Sequence, residues 1–89
     1  MLCEVALGKC RELTRPDHDA DRLPNGFYST HALGVERPIP AQSEHLGDVL
    51  VPCGEVERFP GGGMGANEFI VYNTRQIKMR YLVRIKVNR

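Results

Sequence analysis

The 89 residues hold no Cys-x-x-Cys pair, no apolar stretch of membrane-spanning length and no surplus of either charge. Each absence excludes something. Cys3, Cys10 and Cys53 are an odd number without ligand spacing, which argues against a disulfide scaffold or a zinc site and for reduced, intracellular thiols. No segment approaches the roughly 20 apolar residues of a bilayer-crossing helix, and Met1-Leu2-Cys3-Glu4 has neither the basic start nor the apolar run of a signal peptide. Twelve basic against 11 acidic residues give a net charge of +1, which makes no electrostatic case for a nucleic-acid partner.

What is present is the balance of a globular protein, 42% hydrophobic and 26% charged, in a chain long enough for one domain or part of one. A chain of this size buries only about 60–65% of its unfolded surface, so a core built from it alone is marginal. Charge is unevenly spread. Acids gather early and in the middle, whereas after Glu68 every charged residue is basic: Arg75, Lys78, Arg80, Arg84, Lys86 and Arg89.

Periodicity predicts a β-rich α+β domain with long loops. Residues 1–7 read as a strand apolar on both faces apart from Glu4, ended by Gly8, and the chain thus starts inside an element, as a piece of something longer would. Thr14-Arg15-Pro16-Asp17 reads as the start of one short helix, limited by Pro24 and Gly26. The glycines and prolines of residues 25–42 read as an irregular loop, residues 48–51 as a short strand, and residues 54–65 as a second loop. Residues 69–72 form an apolar run expected to be a central strand. From Lys78 onward Met79, Tyr81, Val83, Ile85 and Val87 alternate with Lys78, Arg80, Arg84 and Lys86, so the first set is expected inward and the second outward. No internal repeat or domain boundary is visible.

Few residue patterns carry chemistry. Gly61-Gly62-Gly63-Met64-Gly65 lacks the Lys-Ser/Thr and the following helix of a phosphate loop, and reads as a flexible hinge or cleft edge. The basic stripe has the spacing of a strand's solvent face and no clustered aromatics to stack bases. His18, His31 and His45 lie scattered over loops without ligand spacing, Cys3 and Cys10 read as packing residues, and Tyr28, Tyr72 and Tyr81 as core aromatics. Glu68 stands apart. It is a carboxylate at the start of an apolar strand, behind a glycine-rich loop, which is where a rigid element can present an acid to a ligand; an ordinary exposed acid is the alternative.

Four blocks in order, LCEVALG (2–8), LPNGFYSTHALG (23–34), NEFIVYN (67–73) and QIKMRYLV (76–83), resemble the C-terminal part of the catalytic domain of poly(ADP-ribose) polymerases. The resemblance implies an incomplete ADP-ribosyltransferase-type two-sheet fold in which residues 1–89 are a C-terminal fragment and the upstream half is absent. It implies an NAD-dependent glycosyltransferase that moves ADP-ribose from NAD to protein side chains or a growing ADP-ribose chain, in one unit or many, and releases nicotinamide. NAD is the substrate and no metal is called for. The family's triad is His-Tyr-Glu, and Glu68 matches the glutamate, as both catalytic and NAD-binding residue.

The family's histidine sits in a His-Gly pair, which does not occur here, and its tyrosine also belongs to the upstream half. Met64-Gly65-Ala66 stands where bulkier residues often precede the glutamate, and Phe27-Tyr28 replaces a basic pair. The implied partners are NAD, an acceptor protein or ADP-ribose chain, and the missing upstream half, in the nucleus or cytoplasm, with no membrane and no direct nucleic-acid contact. A non-catalytic β module binding a partner protein or ADP-ribose is the competing reading. If two members of a triad lie elsewhere, purified residues 1–89 should release no nicotinamide from NAD; turnover above the buffer rate would contradict that expectation.

Overall fold

The computed structural model describes residues 1–15 and 22–87, and ten short strands carry its fold: β1 (Leu2–Val5), β2 (Cys10–Leu13), β3 (Ser29–Ala32), β4 (Gly34–Pro38), β5 (Glu44–Leu46), β6 (Val49–Val51), β7 (Val56–Arg58), β8 (Met64–Ala66), β9 (Glu68–Val71) and β10 (Ile77–Tyr81). They join in four small ladders, β1-β10, β2-β3-β9, β7-β4-β8 and β5-β6. Two 3-10 turns, Pro40–Gln42 and Thr74–Gln76, are the helical elements among the described residues. The chain is therefore β-rich. The short helix expected after Thr14 falls largely on residues 16–21 and so lies outside the described residues, as does His18.

Burial concentrates on β3. Ser29 and Thr30 are 0% exposed and Ala32 is 4% exposed, while no large aliphatic side chain is fully buried among the described residues. Small side chains allow β2 and β9 to flank this strand closely, and its hydroxyls are satisfied. Ser29 Oγ donates to the Leu7 carbonyl at 2.7 Å and lies 2.9 Å from Cys10 Sγ, and Thr30 Oγ1 shares a hydrogen bond of 2.8 Å with Tyr72 Oη. Left unpaired in this position, each hydroxyl would cost about 1–3 kcal/mol.

The β7-β4-β8 ladder is held by its backbone and by one cross-strand group. Arg37 pairs with Glu57 at 3.0 Å and lays its guanidinium over the Phe59 ring at 4.1 Å. Gln76 closes the other end of the chain. Its Oε1 accepts from the Tyr72 and Asn73 amides and its Nε2 donates to the carbonyls of Ala6 and Tyr28, so one side chain ties three separate segments together.

Several expectations need correction. Residues 25–42 are not an irregular loop: β3 and β4 lie there, and only the turn closed by Phe27 N–H donating to the Pro24 carbonyl matches the glycine and proline signals. Residues 54–65 contain β7 and most of β8, and Gly61 to Gly63 are closely packed rather than a flexible hinge. A Cβ on Gly62 would meet Gly34, and one on Gly63 would meet the Thr14 carbonyl. Residues 69–71 of the run 69–72 belong to β9, with Tyr72 just beyond it, and among the described residues β9 pairs only with β3, as an edge strand and not a central one. His31 and His45 sit on strands instead of loops, His31 stacked on Phe69 at 4.2 Å.

Other corrections concern exposure, most of all on β1 and β10. β1 is exposed rather than covered on both sides, with Leu2 and Cys3 open to solvent. Met79 at 71%, Tyr81, Val83, Ile85 and Val87 are exposed rather than inward, and β10 ends at Tyr81. Tyr28 and Tyr72 are likewise exposed, so none of the three tyrosines is a core residue, and Cys10 is only half-buried.

Contiguous apolar surface on that scale drives association. The purified 89-residue chain should enhance the fluorescence of a hydrophobic dye and sediment as more than a monomer at micromolar concentration. A monodisperse monomer that binds no dye would contradict this surface.

Candidate functional site

Glu68 opens β9, and its position is set by the ladder to β3. The strands run antiparallel with Ala32 opposite Glu68, His31 opposite Phe69, Thr30 opposite Ile70 and Ser29 opposite Val71. Because side chains alternate along a strand, Glu68 and Ile70 share one face with Thr30 and Ala32, and through the parallel β2-β3 pairing that face also carries Arg11 and Leu13. Phe69 and Val71 take the other face with His31 and Ser29.

The strand is tied beyond both ends. After β9, Tyr72 bonds through its hydroxyl to Thr30, and the amides of Tyr72 and Asn73 donate to Gln76, within a capping box in which Asn73 Oδ1 accepts from Arg75 N–H at 2.9 Å. Before β9, Asn67 Oδ1 accepts the Gly34 amide at 2.9 Å. Glu68 itself is exposed, and no hydrogen bond or ion pair reaches its carboxylate among the described residues. An acid so placed, on a strand held at both ends and with its oxygens uncommitted, is able to accept hydrogen bonds from a ligand or to stabilise a neighbouring positive charge.

A cavity of about 300 Å³ lies elsewhere, bounded by β1, β10 and the β5-β6 hairpin, with walls from Leu2, Leu46, Val49, Leu50, Val51 and Tyr81. Its charged groups, Glu4 and Arg80, pair with each other at 3.5 Å, which leaves no uncommitted acid or base there. Glu68 does not line it. Among the described residues no group of three or more His, Cys, Asp or Glu is placed to hold a metal ion, and all three cysteines are free.

Of the other residues that the sequence suggests, none is brought to Glu68. The Gly61 to Gly63 stretch packs against Phe59, Gly34 and Thr14, His45 lies on β5, and the basic residues Lys78 and Arg80 lie on β10. The contact next to Glu68 is between Asn67, on which the sequence reading places no role, and Gly34, which it places in the irregular loop of residues 25–42. The signal in the sequence is local: an amide side chain directly before the acid, and a glycine directly after Leu33.

Comparison with known proteins bears on the family. The poly(ADP-ribose) polymerase catalytic domain family model matches residues 1–87. "Poly [ADP-ribose] polymerase 2" of Arabidopsis thaliana is 50% identical over 91 residues, covering 99% of this chain and 14% of the relative. "Poly [ADP-ribose] polymerase 2-B" of Oryza sativa subsp. japonica is 44% identical with 99% of this chain and 15% of the relative covered, and "Poly [ADP-ribose] polymerase 2" of Homo sapiens is 38% identical with 99% and 16% covered. The chain thus spans about one seventh of the length of these relatives. A match through all but the last two residues, with the acid-bearing strand inside it, shows that the chain belongs to the poly(ADP-ribose) polymerase catalytic domain family.

Proposed function

We propose that this chain is a C-terminal segment of an NAD-dependent ADP-ribosyltransferase catalytic domain and that Glu68 is its catalytic acid residue, acting as a carboxylate. The observation that carries the reading is that Glu68 has no partner among the described residues while the strand bearing it is tied beyond both ends. An uncommitted carboxylate on a fixed strand needs no internal bond broken before it meets a substrate.

The chemistry assigns the carboxylate a definite task. The bond between C1′ of the nicotinamide ribose and the nicotinamide nitrogen breaks, its electron pair leaves with nicotinamide, and positive charge spreads over C1′ and the ring oxygen. Glu68 accepts a hydrogen bond from a hydroxyl of that ribose and holds a negative charge beside the cation, which is stabilised most at the transition state. An acceptor oxygen or nitrogen then bonds to C1′ and gives up its proton. The opposite wall of the nucleotide pocket, and the histidine and tyrosine of the family's triad, are contributed by the upstream half of the domain in this reading. The segment by itself is inactive, and the acceptor is a protein side chain or an existing ADP-ribose unit.

The exposed faces of β1 and β10 fit the same picture. Leu2, Val5, Ile77 and Met79 form an apolar surface of the kind a domain hides when its other half is present.

A chimera tests the proposal. In the Arabidopsis relative the matching segment is replaced by residues 1–89, and release of nicotinamide from NAD is followed with and without an acceptor protein. The chimera should be active, and Glu68→Gln should lower kcat by about 100- to 1,000-fold, as loss of one transition-state-stabilising group does. An active chimera whose kcat is unchanged by Glu68→Gln would remove Glu68 from the reaction, and a folded but inactive chimera would remove the assignment of the segment.

A further inference from the structure

At Leu33 and at Asn67 the chain changes sheets, and the two changes occur at the same place. Leu33 is the single residue between β3, which pairs with β2 and β9, and β4, which pairs with β7 and β8. Asn67 is the single residue between β8, paired with β4, and β9, paired with β3. Two strands that leave one sheet for another within one residue must be fixed to each other there, or the direction of the next strand is undefined.

The backbone around Leu33 is fully engaged. Its N–H donates to the Leu13 carbonyl at 2.8 Å, and its carbonyl accepts from the amides of Gly63 and Met64, both at 3.0 Å. The next residue, Gly34, donates its amide to Asn67 Oδ1 at 2.9 Å, across 33 residues of sequence. There is no room for a side chain at Gly34, since a Cβ would collide with Ala66 and with the Asn67 nitrogen, so the two backbones touch. The Asn67 amide therefore spans the crossing and anchors the residue directly before Glu68 to a fixed frame.

We infer that Asn67 is a positioning residue for Glu68: its hydrogen bond to the Gly34 amide sets the direction in which the Glu68 carboxylate leaves β9. Successive side chains of an extended chain point to opposite sides, so fixing Asn67 against Gly34 turns Glu68 toward the face it shares with Thr30 and Ala32. The carboxylate sits on the first residue of its strand, where one ladder partner and this one bond determine it. A misplacement of about 1 Å of a reacting or stabilising group costs up to about 100-fold in rate. The inference rests on the reading of Glu68 given above.

The experiment uses the same full-length chimera. Asn67→Ala and Asn67→Leu, which remove the acceptor, should lower kcat about 10- to 100-fold while KM for NAD moves less than about threefold. Asn67→Asp, which keeps an acceptor oxygen in place, should restore kcat to within about threefold. Hydrogen exchange at the Gly34 amide should quicken in the first two variants and not in the third. In a Glu68→Gln background Asn67→Ala should cause no further loss, because its effect passes through Glu68.

The inference is overturned if both removal variants keep kcat, if their loss recurs in full in the Glu68→Gln background, or if both abolish the cooperative melt, which would make Asn67 a folding residue only. If Glu68→Gln alone leaves kcat unchanged, the reading of Glu68 fails and this inference with it. If Glu68→Gln removes activity and Asn67→Ala does not, only the role of Asn67 fails.

Discussion

Among the described residues β9 has one ladder neighbour, β3, and the whole candidate site depends on how that pairing is held. A two-strand contact at the edge of a small sheet is weak by itself, since each backbone hydrogen bond adds on the order of 1 kcal/mol net. Here β3 is made of side chains small enough to disappear, Ser29, Thr30 and Ala32, so its backbone is shielded from water and its ladder bonds are not exchanged for bonds to solvent. Side-chain bonds then fix the register from outside the ladder: Thr30 to Tyr72 beyond the C-terminal end and Gly34 to Asn67 beyond the N-terminal end. Slipping β9 by one residue would break both and turn Glu68 to the opposite face.

The same chain that fixes one strand so firmly leaves much of its apolar surface open. A core of three small residues accompanies exposed Leu2, Met79, Tyr81 and Leu82, the last 93% exposed. Family membership through residues 1–87, at about one seventh of the relatives' length, puts this imbalance in context: the fold is of a kind that continues beyond the segment in those relatives. The local network around Glu68, by contrast, is complete within the segment, because every bond that ties β9 joins residues between Ala6 and Gln76.

How much of this is legible in the sequence depends on whether apolar periodicity reports the element. Residues 1–7, 48–51, 69–72 and the stretch from Lys78 are visible as strands from their apolar runs and alternation, and the β-rich class rests on them. β3 is invisible by that criterion, since Ser29, Thr30 and His31 carry no apolar alternation and their burial comes from tertiary pairing with β2 and β9. β8 is masked by Gly65 within it and by Gly61 to Gly63 just before it, which the pattern reads as a loop, although Gly62 and Gly63 are where backbones pass closely. Inward and outward assignments on β1 and β10 fail for a different reason: alternation identifies an apolar face but not whether anything covers it. Glu68 is legible as a candidate because an acid at the head of an apolar run is anomalous. Its anchoring through Asn67 is not, because a bond between residues 34 and 67 leaves no periodic trace.

The central claim concerns where one carboxylate points once the rest of the domain surrounds it. The most direct measurement is a crystal structure of the chimeric enzyme with a non-cleavable NAD analogue bound. The account requires a Glu68 oxygen within hydrogen-bond distance, about 2.6–3.2 Å, of a nicotinamide-ribose hydroxyl, with β9 still paired to β3. A Glu68 carboxylate turned to solvent, or paired with a protein cation and separated from the ribose, would contradict it.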